Sequence, residues 1–233
     1  MAATTVQSGV TSWTSGTSDT VVLNSIVAGN AIAGIVILNQ QGQTLTSVMD
    51  GDQTYSQQLL LDAAGGSVWA FWGHKASGGN KTLTFTFSSG GYVLFAWEVT
   101  GHDASAVVAA GEYVGNYQTG VGVGTDNITS TAKTPGRNGA CFLAATADSN
   151  MSGGAATAGT GFTVSQTDGI WTSISESLAQ ATAASQAALF NCTAVGSGLF
   201  LTGLVIVQPA GGAVGPGDLA VALGEPTVGS ASF

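Results

Sequence analysis

From Lys81 to Ser88 the chain alternates strictly, with Leu83, Phe85 and Phe87 interleaved with Thr82, Thr84 and Thr86. This is the period-two pattern of a strand with one face in a core and one in water. After Ser88-Ser89-Gly90-Gly91, the run Tyr92–Val99 is almost wholly apolar. Such a run predicts a central strand covered on both faces, and the two segments together read as a hairpin. Similar runs, bounded by Gly, Ser, Asn or Asp, recur at Val21–Ile26, Ala31–Asn39, Leu45–Met49, Tyr55–Leu61, Ser67–Trp72, Ala140–Thr146, Phe162–Ser165, Ala188–Thr193 and Leu199–Val207. Turn signals arrive about every 8–12 residues, the spacing of an all-β sandwich. The alanines of Glu176–Leu189 suit a helix but Thr182 does not, and the segment is read as strand or loop. Gly115–Gly124 and Ser149–Gly161 are Gly-rich and read as surface connections, with a further strand around Thr125–Ala132.

The pattern breaks after Pro209. Ala210-Gly211-Gly212-Ala213-Val214-Gly215-Pro216-Gly217 reads as a linker, followed by Asp218–Phe233 with alternating Leu219, Val221 and Leu223. One short strand cannot bury its own apolar face, so it must dock on a sheet edge of this domain or on a neighbouring subunit. The chain thus divides into a sandwich domain, 1–209, and a linker with an extended C-terminal arm, 210–233. Leu219, Val221, Leu223 and Phe233 are the arm's candidate partner-binding residues.

Charge narrows the choice of partners. Only 7% of residues are charged, against about 25% in an ordinary soluble domain. Lys75, Lys81, Lys133 and Arg137 are the whole cationic inventory, and the formal net charge is −9. A nucleic acid would meet repulsion rather than the Lys/Arg neutralisation it requires. The N-terminal residues show no positive segment followed by an apolar one, and no apolar run approaches the ~20 residues that span a bilayer. No signal peptide, no transmembrane segment and no membrane partner are therefore expected, and synthesis in a cytoplasm fits. Cys141 and Cys192 each sit in an apolar run and read as small buried hydrophobes. Sequons at Asn80, Asn127, Asn150 and Asn191 carry little weight without a secretory route.

The order of segments carries a resemblance. An apolar strand (Ala31–Leu38), a Ser47-Val48-Met49-Asp50 turn, an aromatic strand (Val68–Trp72), the Thr-alternating strand, Gly91-Tyr92-Val93-Leu94-Phe95-Ala96-Trp97-Glu98-Val99-Thr100-Gly101, then Gly139–Ala145 and Gly203–Pro209 follow one another. Over residues 20–209 this resembles the jelly-roll, lectin-like β-sandwich module of tailed-bacteriophage virion proteins and bacterial surface proteins. The resemblance implies an all-β fold: a two-sheet antiparallel β-sandwich of jelly-roll type with an extended C-terminal arm. Trp97 stands where the module tends to carry a smaller apolar residue, and the arm lies outside the module, as do segments appended to phage structural proteins.

Candidate chemistry is sparse. No G-x-S-x-G elbow is present, and His102, Asp103 and Ser105 are too close in one loop to converge as a triad. His74 and His102 are the only imidazoles; a metal site would need both together with carboxylates, and each reads instead as a loop residue or a hydrogen-bonded cap. Glu98 interrupts an apolar strand and reads as an outward-facing residue at its end. Asp50-Gly51-Asp52 offers oxygen ligands for Ca²⁺, but reads more simply as a turn held by its Asp side chains. Gly120–Gly124 lacks the Lys-Ser/Thr of a phosphate loop. Trp13, Tyr113, Tyr117 and Trp171 lie outside the strongest strands and are candidates for stacking on a glycan, whereas Trp69, Trp72 and Trp97 are expected in the core.

Together these readings favour a non-enzymatic structural protein of a phage-like virion, made in the host cytoplasm. The leading form is a capsid decoration or cement protein, or else a tail-associated component, with no cofactor. The resemblance implies a homo-oligomer, a trimer, that contacts other virion proteins such as the major capsid protein. The alternative is a carbohydrate-binding or receptor-binding adhesin module.

Overall fold

A computed structural model of the chain describes residues 1–121, 124–150, 154–168, 172–194 and 198–211. Every regular element among them is a strand: β1 (Thr4–Ile26), β2 (Ala31–Leu38), β3 (Leu45–Met49), β4 (Ser56–Ala63), β5 (Gly66–His74), β6 (Gly79–Thr100), β7 (Tyr113–Val121), β8 (Gly124–Thr129), β9 (Cys141–Asp148), β10 (Gly154–Ala158), β11 (Thr163–Thr167), β12 (Ser173–Ala179), β13 (Leu189–Ala194) and β14 (Gly198–Val207). All pairings are antiparallel. Among the described residues no helix is long and apolar enough to cross a membrane.

The strands form three sheets rather than the two expected. A six-stranded sheet runs β1-β6-β2-β5-β4 with β3 also on β6; a five-stranded sheet runs β11-β12-β9-β14-β7; a three-stranded sheet runs β10-β13-β8. Alternation along the strands decides what each face touches. In β2, Ala33, Ile35 and Ile37 meet Leu143 and Ala145 of β9 and Leu201 and Val205 of β14 in the main core. The intervening Ile32, Val36 and Leu38 face a second core against Phe71, Leu83 and Phe85. Phe142 and Ala144 of β9 and Phe200, Leu204 and Ile206 of β14 point the other way, onto Ile128, Phe190 and Cys192 of the smallest sheet. Strands covered on both faces have no polar side to show, hence the near-continuous apolar runs of β2, β9 and β14.

The expected hairpin over 81–99 is instead one continuous strand, β6. Both of its halves pair with β1, which extends back to Thr4. The ribbon folds over itself where Gly16 faces Gly90. Gly90 takes φ 155°, a backbone conformation that residues with a Cβ rarely adopt, so glycine suits the bend. The distal half, with Val21, Leu23, Leu83 and Phe85, then covers the second core. The serines and glycines at 88–91 mark a bend within a strand, not a reversal of the chain.

Two segments expected as loops also form strands. Most of Gly115–Gly124 belongs to β7, paired with β14, and part of Ser149–Gly161 forms β10, paired with β13. The N-terminus and the segment after β14 meet at one pole: the Met1 amine donates to the Ala210 carbonyl at 3.0 Å, and Ala3 N donates to Gly139 O at 2.7 Å. The arm residues Leu219, Val221, Leu223 and Phe233 lie outside the described residues.

Candidate functional site

At that pole the segment after β6, residues 101–112, is bound edge-on to the end of β14. Asp103 N donates to Gln208 O at 2.8 Å, Gln208 N to Val107 O at 2.9 Å, and Ala210 N to Gly101 O at 2.7 Å. Arg137 Nη1 clamps Asp103 Oδ2 at 2.5 Å. The Glu112 carboxylate accepts from Gly136 N at 2.6 Å and from the Gln208 amide. With Val107 and Val108 buried in the main core, this loop walls a cleft of about 500 Å³ against Trp72, Gly73, His74 and Ser56. Tyr113 stacks on Trp72, ring centroids 5.9 Å apart.

The two histidines meet here. β5 and β6 flank β2 and run parallel to each other, so they end at the same pole. His74, the last residue of β5, and His102, two residues past β6, reach across the end of β2. Nδ1 of His74 lies 2.9 Å from Nε2 of His102. His102 is buried; burial, and next the neighbouring His74 ring, lower its pKa, with Asp103 acting in the opposite sense. Sequence reading named both residues but not their meeting. The register of β5, β2 and β6 carries that information.

The other candidate residues separate. Ser105 Oγ donates to Asp103 Oδ1 at 2.6 Å while His102 faces His74, so the local His-Asp-Ser cluster does not assemble as a nucleophile and base. Asp50 Oδ1 accepts from the backbone N–H groups of Asp52 at 3.0 Å and Gln53 at 3.1 Å, forming the expected turn. Its Oδ2 takes Lys75 Nζ at 2.8 Å and Tyr55 OH at 2.7 Å, while Asp52 Oδ2 takes Lys75 at 3.0 Å and Lys81 at 2.6 Å. Two ammonium groups thus pair with the two carboxylates. Burial opposes the charge of Asp50, but bonds from Lys75, Tyr55 and the backbone outweigh it and hold the carboxyl below its ordinary value. Lys81 chiefly, then Ser77 and Lys75, holds Asp52 far below the carboxylate range. Among the described residues no group of three or more His, Cys, Asp or Glu is placed around a common metal position.

Glu98, read as outward-facing, is fully buried. Its carboxylate accepts from Val27 N at 2.8 Å, Asn30 Nδ2 at 2.6 Å and Gln7 Nε2 at 2.6 Å, tying the β1–β2 turn to β6. Trp13 is packed in the main core and offers no face to a glycan. Trp97 lies in the same core as expected, while Trp69 and Trp72 are partly buried at the core margins. Tyr113 is half-buried on Trp72, Tyr117 is 39% exposed, and Trp171 lies outside the described residues. Cys141 and Cys192 are both buried, and burial pushes the Cys141 thiol up to about 12.

No protein-family model and no curated protein matches the sequence. Among solved structures, a conserved protein of unknown function from Pseudomonas aeruginosa PAO1 is similar at 11% identity and a TM-score of 0.24, over 81% of this chain and 81% of that one. The major capsid protein P2 of bacteriophage PM2 is similar at 9% identity and a TM-score of 0.24, over 88% of this chain and 98% of that one. Scores this low carry no functional inference.

Proposed function

We propose that this chain is a non-enzymatic structural protein of a phage-like virion, a capsid decoration or cement protein or a tail-associated component. In this reading its six- and five-stranded sheets serve as a jelly-roll sandwich, and it assembles as a trimer on other virion proteins through the sandwich surface and the C-terminal arm. The observation that carries the reading is where the cations go. Lys75 and Lys81 bind Asp52, Arg137 binds Asp103, and Lys133 Nζ donates to Gly111 O at 3.0 Å. All four positive side chains of the chain fasten one segment to another, which suits a rigid building block rather than a catalyst. A surface poor in long charged side chains also loses little rotamer entropy when it is covered.

Removing residues 212–233 tests the reading. The shortened chain is expected to keep its β-sheet circular dichroism and melting temperature but to fail to enter particles built from the major capsid protein. Light scattering on the full chain is expected to give three copies. Normal incorporation of the shortened chain, or a full-length monomer at high concentration, overturns assembly through the arm.

A further inference from the structure

We propose that His74 and His102 form a binding site for a divalent transition-metal ion that prefers nitrogen ligands, such as Zn²⁺ or Ni²⁺. The inference stands apart from the virion reading and rests on geometry. The chain's only two imidazoles start 28 positions apart and come nose to nose, Nδ1 to Nε2, at 2.9 Å. At that distance one ring's N–H donates to the lone pair of the other, the direction set by the tautomers. Ligand nitrogens bound at ~2.0–2.1 Å on adjacent positions of a metal stand about 2.9–3.4 Å apart, so the two rings, which now meet end-on with centroids 5.1 Å apart, hold an ion at nearly their present separation once they rotate to make their lone pairs converge.

The surroundings select the kind of ion. His102 is buried and supplies the inner ligand of the pair. His74 is half-exposed and lines the cleft of about 500 Å³, from which water can fill the remaining coordination positions. The charged groups nearby are engaged elsewhere: Asp103 with Arg137 and Ser105, Glu112 with Gly136 and Gln208, and Asp52 with Lys75 and Lys81. With no described carboxylate bonded to either imidazole, the described residues supply nitrogen alone. That donor set disfavours Ca²⁺ and Mg²⁺, which demand oxygen, and limits affinity to roughly the micromolar range.

Calorimetric titration of the tag-free full chain at neutral pH with Zn²⁺, Ni²⁺ and Ca²⁺ tests the site. One Zn²⁺ or Ni²⁺ per chain is expected, with no saturable Ca²⁺ heat and at least a tenfold loss of affinity in H74Q and in H102Q. H102Q puts an amide at a buried position, so H74Q, checked by circular dichroism, decides. No saturable Zn²⁺ or Ni²⁺ binding, or equal affinity in folded H74Q, overturns the proposal and leaves the pair as a hydrogen bond alone.

Discussion

Glu98 and Glu176 are both fully buried, yet the chain treats them differently. Glu98 has three donors at 2.8 Å or less. Glu176, on the face of β12 turned to the smallest sheet, has only Gly159 N at 3.2 Å and Leu189 N at 3.3 Å. Burial dominates there and pushes its carboxyl from 4.5 up to about 8. Between those values the folded chain keeps a proton that the unfolded chain has released, so stability falls as pH rises, by up to about 1.4 kcal/mol per unit. Glu176→Gln is expected to match the parent near pH 4.5 and to exceed it by roughly 2 kcal/mol or more at pH 8 in urea unfolding. An unchanged slope with pH would sink this account. Neither acid's setting was legible in the sequence. Glu98 is covered by Gln7, Val27 and Asn30, from 68 to 91 positions away, and alternation along a strand does not report what lies over its end.

At the level of elements, legibility followed apolar content. The predicted span of β3 matches the structure residue for residue, and those of β2, β9 and β14 match within about two residues, because two covered faces leave a long greasy run. The Ser/Thr-rich start of β1 and the Gly-rich β7 and β10 escaped notice. They are held by backbone pairing, to which side-chain pattern is nearly blind. The covered strands also have the least tolerance. A Cβ on Gly34, midway along β2, would lie 2.2 Å from Phe71 Cε1 and 2.3 Å from the Phe95 carbonyl oxygen. Since that oxygen belongs to a paired strand and cannot swing away, Gly34→Ala is expected to cost about 1–3 kcal/mol, read as a lower urea midpoint at unchanged m-value. A midpoint equal to the parent's would mean that the layers yield more easily than their packing implies.

Across the whole molecule the ionic fastenings and the buried acid pull stability in opposite directions with pH. Asp50, Asp52 and Asp103 are held below their ordinary value of 3.8 by Lys75, Lys81, Ser105 and Arg137, so what they contribute is present above that value and lost as pH falls beneath it. Glu176 erodes stability upward from 4.5. Melting temperature against pH is therefore expected to peak near pH 4–5, and a maximum at neutral pH would contradict the balance. The all-β character of the molecule was readable from alternation and turn spacing, whereas the third sheet and the convergence of His74 with His102 were not. Both depend on which strands become neighbours: β8, β10 and β13 in the one case, β5, β2 and β6 in the other. One topological freedom follows from the bond between the Met1 amine and Ala210. A short tether from residue 211 back to residue 1 closes the described backbone into a ring with its strands in place, so new termini can be opened at a distant turn and a fused cargo carried on the opposite side of the molecule.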